Sequence, residues 1–347
     1  MKISIALATY NGERFLLGQL ESLYTQTRTP DEVIICDDGS SDRTGKIAED
    51  FIRARRLENR WRFAVNPTRL GSRGNFKACV AQTTGDLIFL CDQDDLWMDT
   101  KIETVAGLFA QHPPIQVLNH SFEFMDEDGR PLARTHPSNT ANNGLIPFAV
   151  PAGAMVRIPF PTIVNKNISM GCTMAFTAAI RKRYVERSQA VLSHDYELNL
   201  YGGAVDGLFF HNVPLIRYRL HRDNACGLYV LQKPYPSLAL QKIDTWPAYV
   251  RGQRNLCEAL SAGDLYREDR RDERRYVAAF RRFVEARCLT VERRSLWRWL
   301  TELALYARGL RGSLDPRGLV IDAMYVARLD RVLRWWHQYD RCKNGQD

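Results

Sequence analysis

No stretch of this 347-residue sequence approaches the run of about 20 mostly apolar residues that a membrane-spanning helix requires. The opening run, Ile3-Ser4-Ile5-Ala6-Leu7-Ala8, is short and is broken by Thr9-Tyr10-Asn11-Gly12. It carries no small-residue cleavage site, so it reads as a strand rather than a signal peptide. None of the eight cysteines stands in a C-x-x-C pair, which removes support for zinc-ribbon and thioredoxin-like readings. Several lie in apolar runs, where a thiol packs as a small hydrophobe, and a reduced cytoplasmic chain is the simplest expectation. There is no internal repeat, no Gly/Ser linker and no low-complexity tract. Hydrophobic residues make up 45% and charged residues 25%, which excludes a disordered or collagen-like chain and is compatible with one large domain or two.

What is present is an uneven charge. The net +8 comes from 48 Lys and Arg against 40 Asp and Glu. Residues 267–347 alone hold 18 Arg and one Lys against 12 acidic residues, a surplus of seven, so the remainder is almost neutral. Such asymmetry predicts an appended segment with its own anionic partner: a membrane surface, nucleic acid or an acidic ligand. No nucleic-acid recognition motif accompanies it, so nucleic acid is not expected as a partner. Leu296-Trp297-Arg298-Trp299-Leu300 and Leu333-Arg334-Trp335-Trp336-His337 mix Arg with Trp on helical stretches. Indole rings and guanidinium groups suit an anionic membrane interface; the alternative is that the apolar faces pack internally while the arginines face water.

The first half alternates strand and helix signals. Strands are predicted at Ile3–Ala8, Glu32–Cys36, Trp61–Val65, Asp86–Cys91 and Ile115–Leu118, with helical periodicity at Glu13–Tyr24, Ile47–Ile52, Gly74–Ala81 and Lys101–Phe109. Alternation of this kind predicts βαβ units and a mostly parallel sheet. Ligands of such sheets bind beyond the carboxyl ends of the strands. The candidate site residues are therefore Thr9-Tyr10-Asn11, Asp37-Asp38 and Asp92-Gln93-Asp94-Asp95.

The last group is the sharpest. Three carboxylates follow directly on an apolar strand, and like charges this close raise one another's pKa unless a cation neutralises them. Mg²⁺ or Mn²⁺ prefers such oxygens, often shared with substrate phosphates. A solvated turn with Asp95 capping the next helix is the alternative. Asp37-Asp38-Gly39-Ser40-Ser41-Asp42 offers an acidic pair able to accept a base N–H or a ribose hydroxyl, with Ser41 or Asp42 as a helix cap.

The order of these motifs resembles family 2 glycosyltransferases with the GT-A fold. Ala8-Thr9-Tyr10-Asn11-Gly12, Cys36 to Asp42, and Thr84-Gly85-Asp86 leading into Asp92-Gln93-Asp94-Asp95 carry the resemblance in the amino-terminal part. Asn167-Ile168-Ser169-Met170-Gly171-Cys172-Thr173, His194-Asp195, and Pro214-Leu215-Ile216-Arg217-Tyr218-Arg219-Leu220-His221 with Asn224 and Gly227 resemble the branch that includes bacterial rhamnosyltransferases.

The resemblance implies a GT-A catalytic domain over 1–227; a composition shift near residues 226–240, where Pro234 and Pro236 interrupt the pattern, sets a boundary to a helical, basic region over 228–347. It implies an inverting transfer of a sugar, rhamnose from dTDP-rhamnose being favoured, from a nucleotide-sugar to a saccharide or lipid-linked saccharide acceptor. Asp94 is then a ligand of a divalent metal, with Asp92 and His221 as further contacts, and Asp195 is the general base. Thr9, Tyr10, Asn11, Glu13, Asp37, Asp38, Asp92, Gln93, Asn167, Gly171 and Cys172 line the nucleotide-sugar pocket. Building cell-surface polysaccharide in this way would place the enzyme in the cytoplasm or on the cytoplasmic face of the inner membrane. Two departures bear on the donor sugar: Asn119-His120-Ser121 stands where relatives often carry an acidic residue, and Tyr196-Glu197 follows the H-D pair where aromatics are usual. A metal-dependent nucleotidyltransferase is an alternative; its usual Gly-rich phosphate loop is missing here. A basic nucleic-acid-binding protein is another.

Overall fold

Strand β1 (Ile3–Thr9) is apolar almost throughout because it lies between two parallel neighbours, β2 (Glu32–Asp37) and β4 (Leu87–Cys91), with both faces covered. This computed structural model describes residues 1–133, 148–165, 167–188, 192–222, 238–262, 271–310 and 317–329, with Ile146, Asn224, Leu314 and Arg331. They divide into two units, Met1–Asn224 and Ala225–Asp347. The Leu333–His337 cluster, Gly227, Pro234 and Pro236 lie outside the described residues.

The first unit is a mixed α/β sheet flanked by helices. Helices α1 (Leu16–Tyr24), α2 (Thr44–Ala54) and α3 (Gly71–Gln82) link β1, β2, β3 (Trp61–Val65) and β4 by parallel crossovers. Beyond β4 come β5 (Leu96–Trp97), α4 (Lys101–Gln111), β6 (Val117–Met125), β7 (Pro131–Leu132) and β8 (Met155–Arg157). They are followed by α5 (Phe160–Asn165), β9 (Met174–Thr177), α6 (Ala178–Arg187), α7 (His194–Gly203) and β10 (Leu208–Arg219). The strand order is β3-β2-β1-β4-β9-β6-β10-β5, with β7 on β6 and β8 on β10.

The expectation of a mostly parallel sheet holds for β3-β2-β1-β4 and for the β6-β10 pair, while the other pairs are antiparallel. Strand β9 runs antiparallel between β4 and β6, and β5, β7 and β8 are also antiparallel to their partners. The reason lies in the preceding 3₁₀ turn, Gly171–Thr173: the chain enters β9 from the carboxyl end of β4, so it must descend. That descent brings the 167–173 segment to the end of β4. Parallel pairing of β10 with β6, and its contact with β5, return Arg219 and His221 to the same edge. Phe89, Phe176 and Phe210 are fully buried beneath it, and truncating such a ring costs roughly 3–5 kcal/mol.

The fifth predicted strand is longer than its apolar run. It continues through Asn119, His120 and Ser121, all buried, to Met125. A strand paired on both sides has its backbone donors and acceptors satisfied by its neighbours, so polar side chains are admitted where they find partners.

The second unit is helical: α8 (Leu238–Ala262), α9 (Arg271–Arg293), α10 (Leu296–Leu305), which runs into one wider π turn at Tyr306–Leu310, and α11 (Arg317–Val326). Val250, Leu256, Phe280, Phe283, Val284 and Leu319 are buried. Among the described residues no helix is long and apolar enough to cross a membrane.

Candidate functional site

At the carboxyl ends of β1 and β2 the polar side chains tie loops together. Asn11 takes a left-handed φ of 46°, and its Oδ1 accepts the Ser41 N–H at 2.9 Å. Thr9 Oγ1 and Ser40 Oγ donate to Asp37 Oδ1, and the Ser40 N–H donates to Asp37 Oδ2. Asp38 accepts the N–H groups of Leu70 and Gly71 at the start of α3, with Asn66 Nδ2 as a further donor. The acidic pair therefore shapes this rim; Oδ2 of each residue keeps lone-pair capacity for a ligand. Glu13 accepts the Arg43 N–H and guanidinium, which hold its carboxyl below the usual range. Asp42 accepts the N–H and hydroxyl of Thr44, the first residue of α2, and Arg43, rather than the expected Ser41 or Asp42, occupies the N-cap position. Tyr10 lies beneath the Arg69 guanidinium, 4.1 Å from its ring centre.

Gln93 closes the gap to β4. Its amide accepts the Tyr10 N–H at 2.8 Å and donates to the Tyr10 carbonyl at 3.0 Å, imitating a strand pair. A Cβ at position 12 would lie 2.3 Å from Gln93 Oε1, so Gly12 is what lets the amide in.

The three carboxylates that follow β4 face different ways. Asp94 Oδ2 stands 2.8 Å from His221 Nε2, and the Asp94 carbonyl accepts Arg219 Nε. Asp95 is buried, accepts the Arg219 N–H through Oδ1, and its Oδ2 has no hydrogen-bond partner. Asp92, Asp95 and Cys172 each place a donor atom within 4.8 Å of the others. Burial, then the charges of Asp94 and Asp195, push Asp92 up to about 7. Burial, then Asp94 and Asp92, push Asp95 well above the carboxylate range. Lys101, fully buried, lies 3.6 Å from the Trp97 ring centre and donates to the Cys172 carbonyl; burial lowers it to about 8.

This donor set fits a divalent cation. The cluster contains one buried carboxylate oxygen without a partner, and Asp94 and His221 beside it offer carboxylate oxygen and imidazole nitrogen. The Cys172 sulfur lies within the same reach, but Mg²⁺ and Mn²⁺ prefer oxygen ligands to thiolate.

The 167–173 segment and α7 form the opposite wall. Asn167 Nδ2 donates to Asp195 Oδ2 at 2.7 Å, and the Tyr196 N–H donates to Asp195 Oδ1 at 2.9 Å. His194 stacks on Phe76 with ring centres 3.9 Å apart, and burial keeps its imidazole uncharged at pH 7. A Cβ at position 171 would come within 2.6 Å of His194 Nε2, so only glycine passes there. Gly171 is a packing glycine in this arrangement.

The predicted residues thus fall into a rim at the ends of β1 and β2 (Thr9, Tyr10, Asn11, Glu13, Asp37, Asp38, Gln93), a carboxylate edge (Asp92, Asp94, His221) and a wall (Asn167, Gly171, Cys172, Asp195). Four residues escaped sequence reasoning as parts of the site. Lys101 and Asn199 carry no local signal, since each is one polar residue within a helical pattern. Arg219 stands inside the Y-R-x-H match and could have been found there. Asn119 was noted only as a departure.

Known proteins resemble this chain in sequence and in fold. The chain is 32% identical over 137 residues to EpsE of Bacillus subtilis, covering 40% of this chain and 49% of that protein. It is 26% identical over 127 residues to glycosyltransferase GlyG of Streptococcus pneumoniae, covering 37% and 41%. It is 29% identical over 110 residues to UDP-Glc:alpha-D-GlcNAc-diphosphoundecaprenol beta-1,3-glucosyltransferase WfgD of Escherichia coli, covering 32% and 42%. The chain spans less than half the length of these curated relatives. Residues 1–349 of S. aureus TarS share the fold at a TM-score of 0.53 and 15% identity, over 96% of this chain and 92% of that one. The family model described as Glycosyl transferase family 2 matches residues 4–187, more than half of the sequence, and the chain belongs to that family.

Proposed function

We propose that this chain is an inverting, metal-dependent glycosyltransferase that moves a sugar from a nucleotide-sugar to a saccharide or lipid-linked saccharide. The observation that carries the reading is the pairing of Asp94 with His221 across from Asp195: a cation-seeking edge and a hydrogen-bonded carboxylate on two walls of one unit. Asp94 and His221, with Asp92 beside them, would hold Mg²⁺ or Mn²⁺, which when bound stabilises the charge of a departing diphosphate. Thr9, Tyr10, Asn11, Glu13, Asp37, Asp38 and Gln93 bind the base and ribose. Asp195 takes the acceptor hydroxyl's proton as that oxygen attacks the anomeric carbon from the face opposite the leaving group, which inverts the centre.

S. aureus TarS, which shares the fold, has been solved with UDP-GlcNAc, and WfgD is named for a diphosphoundecaprenol-linked acceptor; both are in keeping with this class. The 167–173 and 214–224 matches favour dTDP-rhamnose as donor. An anionic membrane surface is the partner we propose for the basic unit, because Trp297 is 81% exposed beside exposed Leu296 and Leu300 on α10. The division into a catalytic domain over 1–227 and a basic helical region over 228–347 is part of this proposal.

A thermal-shift panel of UDP-, GDP- and dTDP-sugars with and without Mn²⁺ tests it. A ligand at 100 times its Kd stabilises by about 2.7 kcal/mol. Metal-dependent stabilisation, largest with dTDP-rhamnose, is expected. No stabilisation by any member would overturn the glycosyltransferase reading, and stabilisation by another sugar would replace only the donor.

A further inference from the structure

Behind Asp195 lies a line of three side-chain amides. Asn119, fully buried on β6, donates from Nδ2 to Asn199 Oδ1 on α7 at 2.8 Å. Asn199, also fully buried, donates from Nδ2 to Asn167 Oδ1 at 3.1 Å and to Ser169 Oγ at 2.8 Å. Asn167 donates from Nδ2 to Asp195 Oδ2 at 2.7 Å and to the Ser169 carbonyl at 2.9 Å. Asn199 and Asn167 each accept through the oxygen and donate through the nitrogen, so the line runs head to tail from the Asn119 amide nitrogen and ends on the carboxylate.

The direction of the line is fixed by chemistry. An ionised carboxylate accepts only, so Asn167 must present its NH₂ to Asp195. Its Oδ1 then faces Asn199 and also accepts the Ile168 N–H at 2.9 Å. Turning Asn199 over would set NH₂ against the NH₂ of Asn119 and remove the donor to Asn167 and Ser169. At the far end, Asn119 Oδ1 is buried without a hydrogen-bond partner, so the line begins at the Asn119 amide nitrogen. Hydrogen bonds chained in a low-dielectric interior strengthen one another. Residues 195 and 199 stand one turn apart on the same face of α7, so the helix and the amides constrain a single carboxylate.

We infer that Asn167, Asn199 and Asn119 are positioning residues that lock the Asp195 carboxylate in the orientation needed to take the acceptor's proton. This rests on Asp195 being the base, and it gives Asn167 a task other than the nucleotide-sugar contact that the sequence resemblance implies. With Asn167 on Oδ2 and the Tyr196 N–H on Oδ1, each oxygen keeps one lone pair for the acceptor hydroxyl. A misplacement of about 1 Å in such a group can cost on the order of 10²-fold in rate.

The test uses the full chain and whichever nucleotide-sugar of the panel releases nucleoside diphosphate fastest with the native protein. Asn167→Ala, Asn199→Leu and Asn119→Leu are each made alone and in an Asp195→Asn background. Expected are kcat losses of roughly 10- to 100-fold for Asn167→Ala, smaller for Asn199→Leu and smallest for Asn119→Leu. Donor KM should stay within about twofold of native, since positioning acts on the chemical step. In the Asp195→Asn background Asn167→Ala should cause no further loss. Unchanged kcat in Asn167→Ala, a raised donor KM at native kcat, or an undiminished loss in the Asp195→Asn background would each overturn the inference. If Asn199→Leu does not fold, the half-buried Asn167→Ala decides alone. Native turnover in Asp195→Asn itself would instead remove the general base, and with it the reading on which the inference rests.

Discussion

Both units bury charge, and they place it differently. In the helical unit Arg287 is enclosed: its Nε donates to Glu302 and Asp322 at 3.2 and 2.9 Å, one terminal nitrogen donates to Gln253, and its guanidinium lies over Phe283. Trp246 Nε1 donates to the second oxygen of Asp322. Burial, then the Asp322 carboxylate, push Glu302 up to about 9, so it is protonated at pH 7 and the cluster is close to neutral. In the sheet unit Asp92, Asp94 and Asp95 crowd the end of one strand, where His221 meets Asp94 and Arg219 meets Asp95. Each cluster leaves one buried carboxylate oxygen without a hydrogen-bond partner, Glu302 Oε2 among the helices and Asp95 Oδ2 at the sheet. A buried ionic cluster between helices holds them in register. One at the carboxyl ends of strands lies where ligands of such sheets bind.

The largest effect should come from removing the carboxylate of the sheet cluster that pairs with His221. Asp94→Ala is expected to abolish transfer and metal-dependent nucleotide binding while leaving the melting temperature near native. Full turnover in excess EDTA would refute metal dependence. Next is Asp195→Asn, which keeps the size of the side chain but cannot accept a proton. A positioned base contributes about 10²–10⁴-fold, so turnover should fall by at least about 10²-fold with donor affinity unchanged. A role limited to the first turn of α7 would instead cost about 1 kcal/mol of stability and spare the chemistry.

A smaller effect is expected on α10. Trp297→Ala should weaken binding to phosphatidylserine-containing vesicles roughly tenfold, the equivalent of the about 1.5 kcal/mol at the low end for burying a large apolar side chain. Equal co-sedimentation of both proteins at low salt would remove the membrane proposal.

The smallest effect concerns the cluster between the helices. Glu302 has a folded value of about 9, above its ordinary 4.5, so the native state holds a proton that the unfolded chain releases. Its contribution to stability is complete below about 4.5 and is lost as pH rises toward 9. The melting temperature should decline across that range, and Glu302→Gln, which stays neutral, should flatten the decline. An unchanged slope in the variant would show that Glu302 is not the group responsible.

Local pattern determined much of this molecule. Apolar runs of strand length with helices between them specify β1 to β4, and the polar residues that end those runs must lie at the sheet's carboxyl edge, because βαβ units put them there. The rim residues and the three carboxylates were therefore legible before any coordinates. Tertiary structure decided the rest. The descent of β9 between β4 and β6 depends on pairing partners about 60 to 90 residues away, which no short-range periodicity encodes. Asn119 reads as a polar interruption of a strand and Asn199 as one amide within a helix; that they bond each other across 80 residues exists only once β6 and α7 pack. Even Asp37 and Asp38, placed correctly at a strand end, gave no sign that their carboxylates brace Ser40 and the start of α3. Sequence spacing reports which residues share a face or an edge, whereas hydrogen-bond partnership depends on contacts that the chain makes only after long loops have closed.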